Sequence, residues 1–209
     1  MINHLVILAN GDFPTHSVPL ERLKRADAII CCDGAAEQLI KREITPHAIV
    51  GDLDSVTSDT KRKFSDITVF DSDQENNDLT KAFNHSLNLA PSTITILGAT
   101  GKREDHTLGN ISLLAEYTSR TKIPVEMITD YGKFRVIFNT TAIGCTPGQQ
   151  ISFFAFDSTL KIKSTGLKYP LDNVKFDIWW KATLNECTSH LYRLTLSHKT
   201  PVVIYTPFK

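Results

Sequence analysis

The chain has 209 residues, and 23 Lys and Arg balance 23 Asp and Glu for a formal net charge of zero at pH 7. That length suits one large domain or two small ones, and the charge balance excludes broad electrostatic attraction to nucleic acid or to an anionic membrane. No apolar run approaches a membrane span, and the opening "MINHLVILANGD" is too short and too polar for a signal peptide. Neither nucleic acid nor membrane is therefore expected as a partner.

In chain order, "HLVILAN" (4–10) reads as a strand, "PLERLKRA" (19–26) as a short helix, and "DAIICCD" (27–33) as a second strand. The helix "GAAEQLIKRE" (34–43) follows, then a strand "HAIVGD" (47–52) and another, "DITVFDSD" (66–73). "NDLTKAFNHSLNLA" (77–90) is an amphipathic helix, "STITILGAT" (92–100) a strand, "DHTLGNISLLAEYTSR" (105–120) a helix and "VEMITD" (125–130) a sixth strand. Continuous β-branched runs alternating with helices indicate a parallel sheet covered on both faces. Beyond residue 131 helical periodicity disappears, leaving "FRVIFN", "QISFFAF", "LKIKST", "HLYRLTL" and "PVVIYTP" among glycines and prolines. The expected fold is an α/β domain over 1–130 with a mainly parallel, Rossmann-like sheet, followed by an all-β sandwich over 131–209.

The four cysteines are Cys31, Cys32, Cys145 and Cys187. The adjacent pair sits inside an apolar run and reads as small strand residues rather than as a metal or disulfide framework. A reducing, cytoplasmic compartment is expected.

Ligands of open α/β sheets bind beyond the carboxyl ends of the parallel strands, and here those ends are polar. Singly, Asp12, Asp33, Asp71 and Asp73 read as turn formers or helix caps as readily as site residues. Asp52 and Asp54 differ: a strand-like spacing of two points both carboxylates to one side. Two close carboxylates raise each other's pKa unless a hard cation lies between them, and Mg²⁺ is the usual one where phosphates are handled.

"DQENNDLTKAF" (73–83) is a polar loop opening a helix, with Asn77 or Asp78 as its cap and Lys81 on the side of Asp78. Lys81 reads either as a site cation or as an exposed lysine on a surface helix. "LGATGKREDHTLGN" (97–110) joins Gly98 and Gly101 to Lys102 and Arg103, then to Asp105 and His106. The GxxxxGK[ST] phosphate loop is absent. A Gly-rich basic turn beside Mg²⁺-type carboxylates nevertheless suggests a nucleoside triphosphate site for phosphoryl or pyrophosphoryl transfer. A phosphotransferase using Asp52 as nucleophile and a catalytically silent nucleotide sensor are the alternatives these residues leave open.

Taken in order, "LANGDFP", "CCDGAAEQL", "GDLDS", "DQENNDLTKAF", "GATGKREDHTLGNISLL" and "STGLKYPLDN" resemble the thiamine pyrophosphokinase (thiamin diphosphokinase) family along the whole chain. The resemblance implies transfer of a pyrophosphoryl group from ATP to the hydroxyethyl oxygen of thiamine, giving thiamine diphosphate and AMP. It also implies a homodimer with sites between subunits. By motif match, Asp52, Asp54 and Asp78 are the Mg²⁺ carboxylates. Arg103 and Asp105 join them at the reacting centre. Asp33, Gln74, Lys81, Gly101, Lys102, Arg103 and His106 border the nucleotide.

Three departures stand out. Lys102 occupies a position where a second glycine is usual, and Asn77 precedes Asp78 where a hydroxyl residue is common. "WWKATLNEC" (179–187) replaces a Gly/Ser-rich stretch ending Ser-Asn-Glu, matching at Asn185 and Glu186 but not at Leu184. Thiamine has an aromatic pyrimidine and a cationic thiazolium, so Trp179 and Trp180, with Asn185 and Glu186, are the expected substrate contacts. Adjacent tryptophans on a strand would send one ring inward and one toward a pocket.

Overall fold

Strands β1 (His4–Leu8), β2 (Ala28–Cys32) and β3 (Ala48–Gly51) are short apolar runs, buried along nearly their whole length. Such runs settle where both faces of a sheet are covered. In the computed structural model, which describes residues 1–208, they lie in the first of two compact units, Met1–Asp130 and Tyr131–Lys209. With β4 (Thr68–Phe70), β5 (Thr93–Leu97) and β6 (Val125–Ile128) they pair in parallel, in the order β6-β5-β1-β2-β3-β4. The chain thus builds outward from β1 in both directions. The order reverses between β1 and β5, the place where open α/β sheets leave a crevice for ligands.

The helices are α1 (Ser17–Lys24), α2 (Ala35–Ile40), α3 (Ser58–Lys63), α4 (Asp78–Asn88) and α5 (Glu104–Arg120). Asn77 caps α4 by accepting from the Thr80 N–H at 2.9 Å. A buried hydrogen bond of 2.7 Å between the Thr80 and Tyr117 hydroxyls joins α4 to α5, beside a Phe83–Tyr117 stack with centroids 4.2 Å apart. No helix among the described residues is long and apolar enough to cross a membrane.

Helix α3 was not among the expected elements. Its sequence, SDTKRK, buries only Thr60 and so carries no apolar stripe. Hydrogen bonds hold it instead: Thr57 accepts from the Thr60 N–H, and the Thr57 N–H and hydroxyl both donate to the Glu37 carboxylate. Strand β4 is shorter than the expected 66–73, because only Thr68–Phe70 pairs with β3.

The second unit is antiparallel throughout. Strands β7 (Gly132–Ile137), β9 (Gln150–Ala155), β11 (Asn185–Glu186) and β13 (Val202–Pro207) pair in the order β11-β9-β13-β7. Strands β8 (Thr141–Gly144), β10 (Ile162–Thr165) and β12 (Leu191–Leu196) form a second sheet, β10-β12-β8. Phe153 and Ile204 from the first sheet share a core with Tyr192 and Leu194 from the second, the interdigitation of a sandwich. Strand β8, "TAIG", was not anticipated, since only Ile143 of its four residues is buried. Trp179 and Trp180 were expected on a strand. They open a single 3₁₀ turn, Trp179–Ala182, so the inward–outward alternation does not apply to them.

Candidate active site

The carboxyl ends of β1, β2, β3 and β5, with the starts of α4 and α5, surround a cleft of about 530 Å³. Asp33 follows β2, Asp52 follows β3 and Asp78 opens α4. One carboxylate oxygen from each lies within 4.8 Å of the others. Gly51 makes this convergence possible. A Cβ there would stand 3.1 Å from both Asp33 Cβ and Asp78 Oδ1, at a backbone φ of +156°. Asp33 is buried; its Oδ2 accepts from the Ser55 N–H at 3.1 Å, while Oδ1 has no partner among the described residues. A buried carboxylate oxygen without a partner is costly, and three converging carboxylates add mutual repulsion. Burial, then Asp52 and then Asp33, push the Asp78 carboxyl above its usual range, against the pull of Lys81. This all-oxygen donor set fits a hard divalent cation.

Asp54 lies outside this group. The same-side expectation for Asp52 and Asp54 assumed extended backbone, but β3 ends at Gly51 and Leu53 adopts φ +66°. The chain turns, the Asp54 N–H donates to Asp52 Oδ1 at 3.2 Å, and the Asp54 side chain is exposed. Asp33 takes the third place. The signal for it was available in the parallel order, because β2 and β3 are neighbours and their ends must lie side by side.

Lys81 is buried, unlike an ordinary surface-helix lysine. Its Nζ donates to the Asp71 carbonyl at 2.9 Å and lies 3.5 Å from Asp78 Oδ1. It therefore orients Asp78 and anchors the exposed loop that carries Gln74. The Gln74 amide donates to the Ser72 carbonyl at 3.4 Å and is not part of the cleft wall.

On the opposite wall, Gly101 has φ +82°, and a Cβ there would fall 2.0 Å from Asp12 Oδ2. Lys102 follows at φ +60°, so the position usually held by a second glycine keeps a left-handed backbone with a lysine in it. The Lys102 ammonium donates to the Asn10 carbonyl at 2.8 Å and lies 3.2 Å from the Asn10 amide oxygen. It ties the end of β1 to the end of β5 across the switch point, a link that sequence spacing could not reveal. Arg103 forks onto both oxygens of Asp105, and Asp105 also accepts from the His106 N–H at 2.9 Å. The bond from Arg103, then that from His106, hold the Asp105 carboxyl at about 2, so the pair stays charged at neutral pH. Asn10 and Asn110 complete the polar lining, Asn110 by donating to the Ala99 carbonyl at 2.8 Å.

The expected thiamine residues occupy the second unit. Asn185 is buried and engaged with backbone: its amide donates to the Tyr169 carbonyl at 2.7 Å, and its oxygen accepts from the N–H groups of Tyr169 and Glu186. Glu186 pairs with Lys168 at 3.1 Å. Trp179 packs edge-on against Phe156, centroids 5.4 Å apart, whereas Trp180 is 67% exposed.

Comparison with known proteins agrees with this layout. The family model for the thiamin pyrophosphokinase catalytic domain matches residues 20–127, and that for the thiamin pyrophosphokinase substrate-binding domain matches residues 132–205. A thiamine pyrophosphokinase from Bacillus subtilis is 30% identical over 156 residues, covering 68% of this chain and 69% of that one. The crystal structure of a thiamine pyrophosphokinase from the same species superposes with a TM-score of 0.80 at 24% identity, covering 99% of this chain and 100% of that one. The thiamin pyrophosphokinase from Candida albicans gives 0.78 at 19% identity, covering 99% and 90%. Two family domains matched in order, on a chain whose parallel sheet brings three carboxylates together beyond its strand ends, make this chain a member of the thiamin pyrophosphokinase family.

Proposed function

We propose that the cleft of the first unit binds ATP with Mg²⁺, and that its residues serve the family's transfer of a pyrophosphoryl group to the hydroxyethyl oxygen of thiamine, giving thiamine diphosphate and AMP. The observation that carries this reading is the convergence of Asp33, Asp52 and Asp78 around a buried oxygen with no partner. These three residues would hold the cation, which when bound neutralises charge on the phosphates. Lys81 keeps Asp78 aimed into the group. Lys102 and Arg103 supply positive charge on the far wall, and Gly101 lets the backbone there approach the phosphates. Incubation of the pure protein with Mg²⁺, ATP and thiamine should yield thiamine diphosphate and AMP in equal amounts, with no product when EDTA is in excess. Release of ADP, or a phosphorylated Asp52, would reject it.

In this reading Arg103 stabilises charge during transfer. Its planar fork already spans two carboxylate oxygens of Asp105, a geometry an ammonium does not reproduce. Arg103→Lys is expected to lower kcat/KM for ATP about tenfold, or about 1.4 kcal/mol. An unchanged value would leave Arg103 only its pairing with Asp105 at the start of α5.

Thiamine is placed at the second unit, within a homodimer in the cytoplasm. The exposed Ile178, Trp179, Trp180 and Leu184 support an interface there, and four free thiols support a reducing compartment. Since Trp179 is held by Phe156, Trp180 is the ring available for stacking. Trp180→Leu should raise the thiamine KM by roughly two- to thirtyfold, the range of a cation–π contact of about 0.5–2 kcal/mol. The KM for ATP should not move. Equal effects on both constants would point to a damaged fold or assembly.

A further inference from the structure

Asn10 follows β1, and its exposed side chain lines the cleft. A terminal amide carries an acceptor on one side and two donors on the other, and here Lys102 decides which faces where. An ammonium only donates. The Lys102 Nζ, 2.8 Å from the Asn10 carbonyl and 3.2 Å from Asn10 Oδ1, therefore holds the oxygen side of the amide. The nitrogen is turned the other way, over the end of β2. It lies 2.9 Å from where a Cβ on Gly34, the residue after Asp33, would stand. A side chain at position 34 would displace it. The backbone on either side is fixed, the Ala9 N–H donating to the Leu97 carbonyl at 2.8 Å and the Gly11 N–H to the Gly98 carbonyl at 2.7 Å. The Asn10 Nδ2 thus stands in the cleft wall with two N–H donors and makes no hydrogen bond among the described residues.

We propose that Asn10 binds the phosphate chain of ATP through its amide N–H groups, and that Lys102 is the residue that positions it. The inference rests on the reading of the cleft as an ATP site. Phosphate oxygens are strong acceptors, and a neutral amide offers them donors close to the Asp33 end of the carboxylate cluster without competing for a cation held there. The lysine that stands where a second glycine is usual is accounted for in the same way. Its backbone is left-handed, at φ +60°, a conformation that suits glycine better than lysine. What the lysine adds is a side chain long enough to reach back to β1 and fix the Asn10 amide. With its ammonium on two Asn10 oxygens, Lys102 acts on the phosphates through Asn10.

The test is a double-mutant cycle on the full-length protein, read as the Kd for ATP in the presence of Mg²⁺. Asn10→Ala removes an exposed side chain and Lys102→Gly installs the residue usual in the family, so both variants should fold; their melting temperatures check it. Each is expected to weaken ATP binding about tenfold, the scale of one hydrogen bond to a charged group. In the Asn10→Ala protein, the further change Lys102→Gly should move Kd by less than about twofold. The same tenfold loss in both backgrounds would overturn the positioning role, because Lys102 would then meet the phosphates itself. Asn10→Asp keeps two oxygens for Lys102 and has no donor, so it should bind ATP no better than Asn10→Ala. Parent-like binding by either Asn10 variant would overturn the contact. Inorganic tripolyphosphate with Mg²⁺ carries the phosphates without the ribose. Equal losses for it support a phosphate contact, and losses confined to ATP would overturn that in favour of the sugar. A parent protein that binds neither ligand would reject the reading of the cleft itself, and the inference with it.

Discussion

Asp78→Asn is expected to lower kcat at least a hundredfold, which corresponds to about 2.7 kcal/mol of barrier. Asn is nearly isosteric, so the capped start of α4 and the fold should survive. What is lost is one of three converging charges and the partner of the buried Lys81 ammonium. A second readout separates this from simple damage. The folded-state pKa of Asp78 is raised by burial and by Asp52 and Asp33. Its contribution to stability is therefore fully present below the ordinary carboxylate range and is lost as pH rises through the raised value. At neutral pH the ionised group is a net cost to the metal-free fold. Asp78→Asn should leave the metal-free protein at least as stable as the parent, while the gain in Tm from added Mg²⁺ shrinks. Turnover near the parent's would show that the carboxylate cluster is not where the cation acts.

Asn185→Ala should destabilise the second unit by about 3 kcal/mol. The Asn185 side chain satisfies the Tyr169 carbonyl and the N–H groups of Tyr169 and Glu186. Truncation strands these backbone groups, each worth about 1–3 kcal/mol when buried without a partner. For a domain of this size the shift in Tm is about 10–20 °C. Asn185→Asp keeps the acceptors and loses the donor, so it should fall between. Calorimetry resolving the second unit would measure both. A shift below about 1 kcal/mol would mean that solvent already reaches these groups.

The two predictions mark where the sequence is legible. Strands β1, β2, β3 and β5 announce themselves because burial on both faces leaves runs dominated by apolar and β-branched residues, and the polar residues that follow each run mark the sheet's carboxyl edge. Asp52 could be read in the same way, and Asp78 from the polar stretch that opens α4. Asp33 could not be placed beside them from spacing along the chain, because its proximity comes from strand order. Asp54 illustrates the reverse: a spacing of two carries geometric meaning only while the backbone stays extended, and Leu53 leaves that conformation. Helix α3 escaped because its order comes from hydroxyl–carboxylate bonds rather than from an apolar face. Asn185 was visible as a motif residue, but sequence does not say whether an amide points to a ligand or inward to the backbone. The Lys102–Asn10 link joins residues 92 positions apart and leaves no local trace.

Both tryptophans of the chain lie in the one 3₁₀ turn, Trp179–Ala182, of the second unit. Intrinsic fluorescence excited at the indole band is therefore a report from one half of the molecule. A melting curve followed at that emission belongs to Tyr131–Lys209 and is nearly blind to the parallel sheet. Because the rings differ in exposure, 49% for Trp179 and 67% for Trp180, an aqueous quencher distinguishes them without any label. Protection of the more accessible indole on adding thiamine, with none on adding ATP, would follow ligand arrival at the β-sandwich in real time, independently of turnover.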